Sequence, residues 1–227
     1  MIVSIHQPNY LPWLGFFDKI KRSDTFVIFD NVQFPRGKKH FGHRNLIRTN
    51  NGSKWLTIPV VGKSEMKNFN EIKINYNGWN QEHLMLIKNF YKKAPYFETY
   101  YSSFADVLNR EYESLSDLTS SLIEYFVSIL DIQTKIVYCS KICPDKVTGN
   151  ERIMYILKQL QATKYISGTG PGSLRYINEE EFKENNIELI WQEYTHPTYN
   201  QLYKPFMPYM NILDLVFNQG PQSKNII

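Results

Sequence analysis

Apolar and polar positions at the start of the chain switch between two periods. Ile2-Val3-Ser4-Ile5 is a short apolar run that stops at His6-Gln7-Pro8, as a strand does. Leu14 to Lys21 then sets Leu14, Phe16, Phe17 and Ile20 at helical spacing, with Asp18, Lys19, Lys21 and Arg22 placed toward water. Thr25 to Phe29 returns to a β-rich run. This strand-helix-strand opening predicts two parallel neighbouring strands joined by a crossover. Trp55 to Val61 is a third strand candidate, with Pro59 marking its end or an edge position.

From residue 80 to residue 130 the pattern is helical. Leu84, Ile87, Phe90 and Tyr91 repeat along one face, Leu118, Leu122, Ile123, Phe126 and Ile129 along another, and Ala94-Pro95 breaks the first helix. Strand-helix alternation then resumes with a strand at Lys135–Cys139, a helix at Glu151–Leu160 and a strand at Lys164–Ser167. Ile187–Trp191 closes the series, and a last helix from Pro208 to Asn218 ends before Gly220-Pro221. The sum predicts an α/β fold, a mainly parallel, Rossmann-like sheet flanked by helices. We expect a single domain over 1–227, with 80–130 as a helical insertion or lid within it.

Composition narrows the function classes. With 42% hydrophobic residues the chain can bury a substantial core, so wholesale disorder is excluded. A net charge of +4 with 21% charged residues favours a local anion site over coating of nucleic acid. No apolar run approaches 18 residues and no signal-peptide pattern opens the chain, which reads as cytoplasmic without a membrane span. The two cysteines, Cys139 and Cys143, have a spacing that fits zinc and redox motifs poorly, and no metal is expected.

The candidate chemistry falls in strand-end segments. In parallel α/β sheets ligands sit beyond the carboxyl ends of the strands, where His6, Asn9 and Tyr10 follow the first strand. A histidine there suits proton transfer near neutral pH. Asp30 to Arg48 forms a basic loop carrying Arg36, Lys38, Lys39, His40, His43, Arg44, Asn45 and Arg48, a set able to cradle a diphosphate or simply to form a solvated face. Asp30 is placed to orient His6 or a basic side chain, or to form a turn. Gly168-Thr169-Gly170-Pro171-Gly172, followed by Ser173 as a helix cap, offers backbone N–H groups to an anion or oxyanion, or is a plain tight turn. His196, after the last strand, is a second candidate base with Glu193 and Tyr194 as partners, and Trp13 and Tyr199 are candidate stacking surfaces for a base or sugar. No hydrolase or metalloenzyme signature is present.

The segments His6-Gln-Pro-Asn-Tyr-Leu-Pro-Trp-Leu-Gly-Phe-Phe-Asp-Lys-Ile20, Asp30-Asn-Val-Gln-Phe34, Arg44-Asn45 and Trp55-Leu-Thr-Ile-Pro-Val60 resemble the WbqC-like family. So do Gly149-Asn-Glu-Arg152, Ala162-Thr-Lys-Tyr-Ile-Ser-Gly168, His196-Pro-Thr-Tyr-Asn-Gln201 and Ile212-Leu-Asp-Leu-Val-Phe-Asn218, so the likeness runs almost end to end. The glycine loop with Pro171 and Arg175, and Asn211 in place of a more familiar serine, depart from the family pattern. The resemblance implies a part in bacterial surface-polysaccharide (O-antigen, lipopolysaccharide) biosynthesis, acting on a nucleotide sugar. A weaker likeness is to nucleotidylyltransferase-like folds, whose H-x-G-H motif the chain lacks.

The leading expectation is a transferase that moves an acyl group from acetyl-CoA to the amino group of a nucleotide-linked (dTDP- or UDP-) amino deoxysugar. His6 is the candidate base, Asn9, Tyr10, Gly168, Thr169 and Gly170 are oxyanion or phosphate donors, and Arg36, Lys38, Lys39, Arg44 and Asn45 hold phosphate. Partners are then the amino sugar and acyl-CoA, and a homodimer is compatible with this reading. The alternatives are an ATP-dependent adenylating or nucleotidyl-transferring enzyme and a non-catalytic sugar-nucleotide binding protein.

Overall fold

The computed structural model describes residues 1–35, 37, 40–62 and 65–227. In chain order the elements are β1 (Ile2–His6), α1 (Leu14–Lys21), β2 (Thr25–Ile28), β3 (Arg44–Thr49), β4 (Gly52–Thr57), β5 (Val60–Val61) and β6 (Lys73–Ile74). Three helices follow, α2 (Trp79–Tyr91), α3 (Phe97–Leu108) and α4 (Leu115–Ile129), then β7 (Lys135–Tyr138), α5 (Cys139–Ile142), α6 (Gly149–Gln159) and β8 (Lys164–Ser167). The rest comprises α7 (Pro171–Tyr176), α8 (Glu179–Glu184), β9 (Glu188–Trp191), α9 (Ile212–Gln219) and α10 (Ser223–Ile226). Contacts divide the chain into two compact units, one holding 1–7, 18–32 and 133–195, the other 8–17, 33–132 and 196–227.

The first unit is built on a five-stranded, all-parallel sheet in the order β7-β2-β1-β8-β9. The alternation along β1 explains its two faces. Val3 and Ile5 enter a core with Val27, Ile153, Ile156, Leu157, Tyr165 and Phe182. Ser4 points the other way, where its hydroxyl accepts from Ser23 Oγ at 2.7 Å. His6 shares the face of Ser4 by the same period. Cys139 and Cys143 are buried free thiols of this core, and burial pushes both thiols up.

The second unit joins an antiparallel hairpin, β3–β4, a short β5–β6 pair and the helices α2, α3, α4, α9 and α10. Its core is aromatic: Phe97 and Tyr91 pack on Phe217 at ring separations of 5.3 and 5.5 Å. Ser114 and Asp117 close a reciprocal capping box on α4, satisfying donors that a bare helix end would leave orphaned. The fully buried Asp214 carboxylate accepts from Tyr91 Oη (3.0 Å), Tyr199 Oη (2.7 Å) and Gln201 Nε2 (2.8 Å). Three donors make burial of that carboxylate tolerable.

Several expectations need correction. Trp55–Val61 is not one strand: Trp55–Thr57 close β4, and Val60–Val61 beyond Pro59 pair separately with β6. Arg44 to Arg48 lie in β3 rather than in a loop, because Asn45 and Ile47 alternate inward. Cys139 opens α5 instead of ending β7. The last helix begins at Ile212, since Tyr209 has a left-handed backbone (φ 61°) that no helix accommodates, and Asn211 Oδ1 caps it by accepting from Leu213 N. Asn211 Nδ2 also donates to Leu46 O, a second bond that the shorter serine side chain would not supply. Ser173 lies inside α7, whose cap is Gly170 with Pro171 in the first helical position. Lys19, expected to face water, is 2% exposed.

Candidate active site

The order of the parallel sheet locates its topological switch point, the place where ligands sit in sheets of this kind. From β1 the chain passes through α1 to β2 on one side, and from β8 through α7 and α8 to β9 on the other, so the connections diverge between neighbours β1 and β8. Such a reversal leaves a crevice at the carboxyl ends of the two strands. The register pairs Ile2 with Lys164 and Ser4 with Ile166, which sets His6 level with Gly168. The two segments expected from sequence to share a rim, His6 and Gly168-Thr169-Gly170, do so.

His6 Nδ1 lies 2.8 Å from Gln7 O and donates to it, so Nε2 is the acceptor nitrogen of the ring. Burial, and then the charge of Lys19, push His6 down to about 3. Lys19 Nζ donates to Ile5 O at 3.2 Å, and burial pushes it down to about 7. Its neighbour Asp18 is engaged elsewhere, accepting from Gln192 Nε2 at 2.8 Å and facing Arg22 at 3.5 Å. Gly168 is half-buried and Thr169 and Gly170 are exposed. Neither Gly168 nor Gly170 has positive φ, and a Cβ on Gly170 would meet nothing within 4 Å. Gly170 is the N-cap of α7, ahead of Pro171, a position where glycine is favoured.

Asp30 is engaged with the start of α5: its carboxylate accepts from Ser140 N (2.9 Å) and Ser140 Oγ (2.5 Å). Arg152 is also structural: Nη1 donates to Asn31 O and Nη2 to Asp145 O, tying down the turns beyond β2 and α5.

The remaining expected site residues belong to the second unit, where most have structural partners. Asn9 is buried at 9% exposure. Tyr10 is fully buried and its hydroxyl meets His83 Nδ1 at 2.9 Å, while burial pushes His83 down to about 4. Asn45 is no phosphate donor in this arrangement, since its Nδ2 donates to Tyr10 O and Leu11 O and braces Leu11 at φ 46°. Arg48 donates to the carbonyls of Thr49, Gly52 and Pro205. His196 Nδ1 donates to Pro197 O and its Nε2 accepts from Tyr209 N at 3.1 Å, so both nitrogens are engaged and the ring holds a turn. Tyr199 is buried on Asp214 and offers no stacking face. Trp13 is half-buried near Tyr209, and its indole lies where a Cβ on Gly15 would stand, 2.2 Å away, which makes glycine obligatory there. Arg44 differs: its guanidinium lies 3.7 Å above the ring of the half-exposed Trp55, and its Nε has no acceptor among the described residues. Arg36, Lys38 and Lys39 lie outside the described residues.

Residues 7–226 match the model of the WbqC-like protein family. The chain belongs to that family. It is 32% identical over 230 residues to the uncharacterized protein Rv1507c of Mycobacterium tuberculosis, covering 99% of this chain and 96% of that one. No solved structure matches. In this WbqC-like chain the opening motif supplies both His6 and Lys19. Lys19 was hidden from the sequence reading, although its spacing from Phe16 (i+3) and Ser23 (i−4) sets it on the inward stripe of α1. Among the described residues no group of three or more His, Cys, Asp or Glu is placed to hold a metal, and no helix is long and apolar enough to cross a membrane.

Proposed function

We propose that the protein acylates the amino group of a nucleotide-linked (dTDP- or UDP-) amino deoxysugar, using acetyl-CoA, in surface-polysaccharide biosynthesis. The observation that supports this most is the β1–β8 register, whose continuation sets His6 level with Gly168 where the two strands' connections diverge. The neutral amine attacks the thioester carbonyl, the C–S bond breaks as the tetrahedral intermediate collapses, and the products are an amide and CoA thiol. The proton lost by the amine passes to His6 Nε2 and on to the departing thiolate. A ring held neutral down to about pH 3 is in its proton-accepting form at every working pH, but it holds the proton only transiently. Backbone N–H groups of 168–170 are the candidate donors to the oxyanion.

Purified protein mixed with acetyl-CoA and a panel of dTDP- and UDP-linked amino sugars should release CoA thiol, and His6→Gln should slow release by about 10²-fold. Pyrophosphate release from ATP with no thiol release would instead establish nucleotidyl transfer. Ligand binding without turnover across the panel would leave a binding protein.

A further inference from the structure

Lys19 is a cation without a counter-charge. Its side chain is 2% exposed, and lysine is rarely buried unless paired. Ile5 O is the acceptor of its ammonium, at 3.2 Å, and no carboxylate stands within ion-pair distance among the described residues. The charged and titratable groups around it do not fill the gap. On its own helix Asp18 is held by Arg22 and Gln192; from β1 His6 presents a neutral ring; beyond β9 the Tyr194 phenol is pushed up by burial and by Asp18. Ser4 and Ser23 bond to each other. Side chains on a helix lean toward its N-terminus, which carries the Lys19 stem along β1 toward the strand's carboxyl end, beside His6. For stability alone an apolar side chain would serve better at this position.

We propose that Lys19 is the cation that receives a phosphate group of the ligand bound at the carboxyl ends of β1 and β8. The proposal rests on the reading that ligands bind there. It adds which protein group neutralises them. A compact ammonium suits phosphate as a point charge, and the anion supplies the partner that the fold withholds. Without ligand the ammonium releases its proton near pH 7, and a bound phosphate holds that proton on. Binding above pH 7 therefore takes up a proton.

The test is calorimetric titration of the full chain at pH 8, in two buffers of different ionisation enthalpy, with UDP-N-acetylglucosamine in one arm and acetyl-CoA in the other. The diphosphate diester of the sugar nucleotide has no group titrating near pH 8, so uptake in that arm belongs to the protein. We expect uptake approaching one proton per ligand, and affinity that falls up to about tenfold per pH unit between pH 7 and 9. Lys19→Met should abolish the uptake and weaken binding about tenfold or more at pH 7, while His6→Gln should leave the uptake in place. The arm that shows uptake identifies the phosphate as that of the sugar nucleotide or of CoA. Binding with no uptake, unchanged by Lys19→Met, overturns the role of Lys19 and spares the ligand site. No binding in either arm overturns both.

Discussion

Without any ligand, the buried ammonium of Lys19 has a measurable consequence for stability. Its proton affinity falls from 10.5 to about 7 on folding, through burial. At about 1.4 kcal/mol per unit, the charged form costs the folded state about 5 kcal/mol. Between about pH 7 and 10.5 the unfolded chain binds this proton and the folded chain does not, so the contribution of Lys19 to stability improves as pH rises. Lys19→Met removes the effect while keeping an unbranched apolar stem of similar reach. Urea denaturation of both proteins, followed by tryptophan fluorescence from pH 6.5 to 9.5, isolates it as a difference. The variant should be the more stable at pH 6.5, and its advantage should shrink above pH 7 with a slope approaching 1.4 kcal/mol per pH unit. A difference that stays flat from pH 7 to 9.5 would refute the claim that Lys19 is uncompensated.

Other expectations follow from named contacts. Because His6 is pushed down to about 3, it should contribute no titration step to rate between pH 5 and 9; a limb in that window that disappears in His6→Gln would contradict the burial argument. Asp214→Asn turns an amide donor toward groups that donate to Asp214 and should cost about 3–5 kcal/mol in chemical denaturation, against about 1 kcal/mol for Tyr91→Phe. Gly220 sits at φ 53° with the Tyr96 ring 2.3 Å from where a Cβ would stand, so Gly220→Ala should lower stability by about 1–3 kcal/mol; a neutral result would mean that the α9 terminus relaxes freely.

The parallel sheet was legible because its strands are buried and short. Lys164–Ser167 and the helix Leu14–Lys21 emerge from sequence with their observed bounds, the strand as a short apolar run and the helix from apolar residues at helical spacing. The hairpin was not legible. In Arg44-Asn-Leu-Ile-Arg-Thr49 the inward positions are filled by Asn45 and Ile47, and the cations at 44 and 48 make a strand look like a solvated loop. The strand-end placement of His6 and the glycine loop was legible because each follows a short apolar run. Lys19 and Asn45 went unrecognised for opposite reasons. A charged side chain was assigned to water although its helix face is inward, and a buried amide was assigned to ligand although it braces the backbone at Leu11. Sequence pattern reports where polar atoms occur, and only the fold reports which of them already have partners.

The pairing of β1 with β8 also sets a timetable. Residue 2 finds its partner at residue 164, so more than two-thirds of the chain is synthesised before the centre of the sheet can close. Until then β1 has β2 on one side and an open, hydrogen-bonding edge on the other. Long-range parallel pairing of this kind is slow to form and is exposed to misassociation meanwhile. The β1–β8 rim at His6 thus forms only late in synthesis, and a nascent chain stopped short of β8 carries the His6 segment without the strand that pairs beside it.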